Sequence, residues 1–381
     1  MTAKQLTKGL PVVILASIVL AIGIFSMGNT IVQGQVVFGS TDQVPWNILI
    51  VAYVFLALAA SGMCLVSTFG HALGFKRFEI ISKRSLYLAI SVLLPALLVL
   101  AMDLGRLDRV FYFITSPNLQ APMWWMGATY GIYVVVLLFE FFSVQTGNEK
   151  AVKVASYITL CGAVAATSIL GGIFAVVIQR PLWFGGATSV YFVLSALITG
   201  IATLLIATVL TYKVAKDEVN FQLQEVLSYL GKAMAILLAV ALGFHAWRLI
   251  TLFYVGSENF TMILNGTYSV AFWGVVIALG LVIPIFMLMK NRTPGKLVLA
   301  GLLVLVGMFV DKYIMVIGGQ LVQPYGEVAI YTSTFTEWAI IAGGIAAAVL
   351  IYMFGVKKFS LDAYGHEDTK VIRSANPSKI G

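Results

Sequence analysis

The sequence predicts an all-α integral membrane protein of about ten transmembrane helices. Hydrophobic residues make up 60% of its 381 positions and charged residues only 10%, where a soluble chain of this size carries about a quarter charged residues. Apolar stretches of about 20 residues, each long enough to cross a hydrocarbon core of about 30 Å, recur from end to end. The basic residues alternate sides between them. With the N-terminus inside, 19 of the 24 Lys and Arg residues fall on the inner side, Lys76, Arg77, Lys83, Arg84, Lys150, Lys153, Lys290 and Arg292 among them; only Arg106, Arg109, Arg180, Arg248 and Lys312 fall on the outer side or in the outer half. Cytoplasmic loops retain Lys and Arg, so both termini are expected inside.

The first span, Leu10–Met27, begins close to Met1 and reads as a retained helix rather than a cleaved leader. With the outer connection that follows, it forms a leading unit over residues 1–45. Trp46–Gly70, Ser85–Met102, Met123–Phe142 and Val154–Ile178 make a first four-helix bundle, residues 46–178. Thr188–Tyr212, Gly231–Phe253, Thr267–Met289 and Leu297–Ile317 make a second, residues 188–317. Phe335–Phe354 and a cytoplasmic tail close the chain in residues 318–381.

The two bundles look like copies related in parallel. Arg106-Leu107-Asp108-Arg109-Val110-Phe111-Tyr112 aligns with Arg248-Leu249-Ile250-Thr251-Leu252-Phe253-Tyr254 at an offset of 142, identical at four of seven positions. The outer connections are longer and richer in Pro, Gly and aromatics than the short basic inner loops. Trp46, Trp124, Trp125, Trp183 and Trp338 fall near outer boundaries, as an aromatic belt would. The functional surface is therefore expected to face outward.

Charge and cysteine content exclude several classes. The net charge of +8 follows from topology and suits anionic lipid headgroups, so nucleic acid is not an expected partner. Cys64 and Cys161 lie inside apolar spans without metal-ligand spacing and read as packing residues. A diheme cytochrome needs four axial histidines, and the chain has three, of which His366 lies in the polar tail. A secondary transporter is the alternative function: parallel repeats fit it, and Pro95 and Pro284 would mark broken helices.

Ionisable residues in a bilayer need a reason, because each costs about 2.5–3.5 kcal/mol near its centre. Asp103 and Arg106 sit three apart at the outer end of span 3, on one helical face. They read either as a local salt bridge or as the wall of a quinone site. A quinone needs hydrogen-bonding groups at its carbonyls framed by apolar and aromatic surface. Asp103 would exchange the proton, and Arg106 would lower its pKa or bond a carbonyl. Span 4 opens with Pro122-Met123-Trp124-Trp125, offers Tyr130 and Tyr133 to a flat ring, and carries Gly127 and Gly131 at a spacing that lets helices approach. Glu140, about 25 Å further down by helical rise, lies near the cytoplasmic side, as does His71; they read either as exposed interfacial residues, His71 above all, or together as the inner mouth of a proton path. In the second bundle His245, Arg248, Asp311, Lys312 and Glu337 are expected at one depth, as a charge-balanced structural network or as part of a proton route.

At these residues the sequence resembles the membrane subunits of the polysulfide reductase (NrfD/PsrC) family. The similarity rests on Tyr53-Val54-Phe55-Leu56-Ala57-Leu58-Ala59-Ala60-Ser61-Gly62, on Met102-Asp103-Leu104-Gly105-Arg106, on Ser116-Pro117-Asn118 and on Ala121-Pro122-Met123-Trp124-Trp125. Leu107 stands where members often have Pro, and Ala121 where they have Ser before Pro-Met. Asp311-Lys312-Tyr313 and Thr336-Glu337-Trp338 resemble the ten-helix branch, which serves hydrogenase- and sulfur-metabolism-linked complexes. The resemblance implies a quinone- or quinol-reactive subunit (menaquinone or ubiquinone) of a respiratory oxidoreductase in a prokaryotic cytoplasmic membrane. Such a subunit is not an enzyme alone and carries no heme or metal. It exchanges electrons with an iron–sulfur protein on the outer face, in a complex with further redox subunits. Asp103 and Arg106 carry over by motif position, while pocket roles for Trp125 and Tyr130 follow from their place on the helix.

Overall fold

The computed structural model describes residues 9–215, 219–322, 329–359 and 361. Lys4, Lys8, Lys216, His366, Lys370, Arg373 and Lys379, which entered the charge count or the heme argument, lie outside them. Among the described residues, ten helices are long and apolar enough to cross a membrane, one for each expected span. They are α1 (Leu10–Gln33), α2 (Ile48–His71), α3 (Lys76–Asp103), α4 (Pro122–Thr146), α5 (Glu149–Ala175), α6 (Ala187–Ala215), α7 (Phe221–Val255), α8 (Val270–Met289), α9 (Pro294–Leu321) and α10 (Phe335–Lys358).

Local chemistry sets the helix ends. Asn47 caps α2 by accepting from the Leu49 N–H at 2.8 Å, and Thr334 and Glu337 form a reciprocal capping box on α10. Pro122 and Pro294 open α4 and α9, where the missing N–H has no helical partner to lose. Pro95 lies inside a continuous α3, so it does not mark the broken helix that a transporter would use. Pro284 sits where α8 passes from a π-helical stretch, Val270–Val282, into ordinary α-helix.

α2 is the central helix, buried along most of its length and packed against α3, α5, α6 and α9. Close approaches depend on facing glycines. Gly62 of α2 meets Gly200 of α6, Gly280 of α8 meets Gly307 of α9, and Gly23 of α1 meets Gly343 of α10; a Cβ at any of them would strike opposing backbone. The Gly127/Gly131 pair does not act this way. Gly127 receives the Phe113 ring from the α3–α4 connection, and nothing lies within 4 Å of a Cβ at Gly131.

The seven-residue repeat adopts two conformations. Arg248–Tyr254 is continuous α7 helix, whereas Arg106–Tyr112 has left the helix for a short 3-10 turn at Leu107–Arg109. Gly105, at φ +70°, stops α3, and the position 142 residues on is Trp247, well inside α7. Among the expected belt residues, Trp46 instead stacks on buried Trp183 with ring centroids 5.0 Å apart.

The charge split yields a direct expectation. Ser116→Cys, between α3 and α4, should label from outside the cell, and Glu149→Cys, at the start of α5, only from the cytoplasmic side. The reverse pattern would invert the topology.

Candidate functional site

Asp103 ends α3 beside the start of α2. Its Oδ1 accepts from the Asn47 Nδ2 at 2.7 Å, and its backbone carbonyl accepts from the Gln35 amide, which also packs on Gly105. Asn47 thus holds both the first turn of α2 and the carboxylate. One residue on, the Ile48 N–H donates to the Tyr331 hydroxyl at 3.0 Å, and that hydroxyl donates to Glu337 at 3.0 Å. Burial pushes the Tyr331 hydroxyl well above its ordinary pKa, so it stays a donor. Glu337, wholly buried, also accepts from the backbone N–H groups of Gly39 and Thr334. Two carboxylates therefore share one layer, joined through the adjacent residues Asn47 and Ile48.

Arg106 does not pair with Asp103. The turn at Gly105 carries it off the helical face they were expected to share, and its guanidinium makes a two-point bridge to Asp108 at 2.9 and 2.7 Å. That pair is open to solvent, with side chains 62% and 61% exposed. Its hydrogen bonds hold the Asp108 carboxyl down at about 2, so both partners stay charged at any pH where turnover is measured. Arg106→Gln is therefore expected to leave the pH profile of quinone-linked turnover unmoved. A displaced profile would show that Arg106 reaches Asp103 in the working complex.

The aromatic residues divide between two places. Pro122 and Trp125 line a shallow cavity of about 440 Å³ between α4 and α5, with Leu119, Gln120, Ser168 and Gly172, and the Trp125 indole N–H donates to the Leu119 carbonyl at 2.8 Å. Tyr130 lies about 140° further round the helix and is buried against Tyr53 and Tyr133, ring centroids 6.1 and 6.3 Å away. Among the described residues, no hydrogen bond, ion pair or ring contact joins Asp103, Trp125 and Tyr130 to one another.

At the other end of α2, His71 and Glu140 of α4 do meet. His71 Nδ1 is 3.2 Å from Glu140 Oε1, and the Ser156 hydroxyl donates to the same oxygen at 2.6 Å. Glu140 is fully buried, and His71 is 11% exposed.

The polar cluster expected in the second bundle forms without Glu337. Asp311 Oδ2 accepts from Tyr191 and Lys312, each at 2.8 Å, while Oδ1 faces Arg248 at 3.7 Å and His245 at 3.8 Å. Lys312 also donates to Ser195 at 3.0 Å and lies over the Tyr191 ring. The expected two-against-two balance is thus two cations around one carboxylate. The Tyr191–His245 contact joins α6 to α7 as Asn47–Asp103 joins α2 to α3. Asn47, Tyr331 and Tyr191 were missed from the sequence. Asn47 alone had a signal there, a helix-capping residue directly before an apolar run.

Comparison with known proteins converges on one group. The model of the family described as polysulphide reductase, NrfD matches residues 36–324. The chain is 25% identical to an Hdr-like menaquinol oxidoreductase integral membrane subunit of Archaeoglobus fulgidus, over 85% of this chain and 86% of that one. It is 23% identical to a subunit of the selenate reductase of Mesobacillus selenatarsenatis, over 90% and 92% of the two chains.

Proposed function

The chain belongs to the polysulphide reductase NrfD family, and from that premise we propose that it is the quinone-reactive membrane subunit of a respiratory oxidoreductase complex. It is a multi-pass membrane protein, and its relatives include an integral membrane subunit of a menaquinol oxidoreductase and a subunit of a selenate reductase. In this reading it passes electrons between membrane quinone, menaquinone by analogy with the Archaeoglobus relative, and an iron–sulfur subunit on the face carrying the α3–α4 connection.

The observation that carries the site is Asp103 held by Asn47 at the end of a membrane-crossing helix. A carboxylate there, partly shielded and oriented by a neutral donor, can take or return a quinol proton. Asn47 orients it, and the buried tyrosines Tyr53 and Tyr130 pack against each other deeper along α2 and α4. Trp125 and Pro122 line the cavity opening between α4 and α5, a route for a flat ring from the lipid phase. Asp103 replaces the Asp103–Arg106 pair as the chemical centre.

Purification of the complex with its partners, followed by quinol-driven reduction of the iron–sulfur subunit, tests this reading. A chain that co-purifies with no redox subunit and lets no quinol reduce one would overturn it.

A further inference from the structure

The last membrane helix, α10, packs against α1, α3 and α2. It meets the second bundle near each of its ends. Trp338 faces Phe309 of α9 with ring centroids 6.3 Å apart, and the Tyr352 hydroxyl lies 3.1 Å from the Thr211 hydroxyl of α6. Along the stretch between these contacts, α10 is separated from α6 and α9 by a cleft of about 900 Å³, backed by Phe55 and Ala59 of α2.

The cleft is apolar along most of its length and polar at one end. Its hydroxyl and charged side chains are Thr203, halfway along α6, and Thr211, Tyr352 and Lys357 near the lysine-rich ends of α6 and α10. The Tyr352 hydroxyl accepts from Arg84 at 2.7 Å, and Thr211 donates to the Ala207 carbonyl at 2.6 Å, so Tyr352 donates to Thr211. That end of the floor is thus fixed by its own bonds. Lys357 lines the mouth and Lys213 flanks it from the last turn of α6, both exposed. From Lys357 to Ile345 the cleft follows α10 for about 18 Å, against about 15 Å for half of the hydrocarbon core. Its depth therefore matches one leaflet.

A crevice of this size left empty would forfeit the dispersion contacts of its walls. In a bilayer, lipid chains fill it. What separates a held lipid from an exchanging one is a grip on the headgroup, and basic residues at the mouth of a cleft between membrane helices supply one. We propose that this cleft binds an anionic diacyl phospholipid of the lysine-rich leaflet, its tails between α10 and α6 and its phosphate at Lys213 and Lys357. The lipid fills the seam between the second bundle and α10 and stabilises the chain. The proposal stands independently of the quinone reading.

The test uses the full chain, stripped of lipid in detergent and titrated with palmitoyl-oleoyl phosphatidylglycerol or its choline counterpart, with bound lipid counted by native mass spectrometry. One phosphatidylglycerol is expected to bind well before others add, to raise the thermal midpoint, and to be held more tightly than phosphatidylcholine. Lys213→Gln combined with Lys357→Gln should weaken phosphatidylglycerol by about 25-fold, about fivefold for each lysine at an anionic surface, and leave phosphatidylcholine unchanged. Ala207→Phe, which puts a ring into the cleft, should abolish the first site for both lipids. The lysine variant alters only exposed residues, so the test stays decisive if Ala207→Phe does not fold. Equal affinity for the two lipids, or undiminished phosphatidylglycerol binding in the lysine variant, would overturn the proposal. So would undiminished binding in a folded Ala207→Phe, or displacement of the phosphatidylglycerol by menaquinone, which would give the cleft to an isoprenoid tail.

Discussion

Asp103→Asn is expected to cut quinone-linked electron transfer by about 10²–10⁴-fold, the range for loss of a general acid–base, while the protein folds and assembles normally. The separation of the two effects follows from the contacts. An amide oxygen at this position still accepts the hydrogen bond from Asn47, and the Gln35 contact is to the backbone carbonyl, which does not change. What disappears is the group that can be protonated. Asn47→Ala removes the orienting donor but leaves the carboxylate, so it should slow turnover less and also loosen the start of α2, where Asn47 is the cap. Steady-state quinol oxidation across pH, beside a thermal melt of each variant, checks both. Near-normal Asp103→Asn rates at every pH would reduce Asp103 to a partner of Asn47.

Asp311→Asn is expected to act on stability first. Lys312 is wholly buried and Arg248 mostly so, and Asp311 is the carboxylate that both face. Removing it leaves like charges together in an apolar bundle, and breaking a buried pair from one side costs about 3–5 kcal/mol. Lowered thermal stability or complex yield, with quinol affinity unchanged, is the expected pattern. Lys312→Met should recover part of the loss in the double variant, because it removes the charge left without a partner. Normal stability with lost turnover would instead make this cluster part of the reaction.

The ten helices were legible because crossing a bilayer demands a long apolar run, and every such run became a helix. The charged residues inside the spans could be picked out by type, whereas their polar partners Asn47, Tyr331 and Tyr191 and their lateral arrangement could not. Glu337 was grouped with Asp311 because depth along a helix can be read from sequence. Which neighbour a helix end faces cannot, and Glu337 faces Tyr331 and the α2 terminus instead. The Asp103–Arg106 pair assumed an unbroken helix, although Gly105 stands between them and ends α3. The small-residue spacing at Gly127 and Gly131 misled for a related reason. Close helix contact needs a small residue on both partners, as Gly62 with Gly200 and Gly280 with Gly307 provide. His71 and Glu140, set at one level by counting along their helices, lie 3.2 Å apart, since α2 ends where α4 has descended to the same depth.

The central claim is that quinone binds at the Asp103 end of the first bundle. A photoreactive menaquinone analogue, irradiated with the purified complex and mapped by peptide mass spectrometry, tests it most directly. Labelling is predicted within residues 46–62, 103–108 and 122–133, lost when excess menaquinone competes and weakened in Asp103→Asn. Competed labelling confined to α7–α9 around the Asp311 cluster would contradict it and move the site to the second bundle.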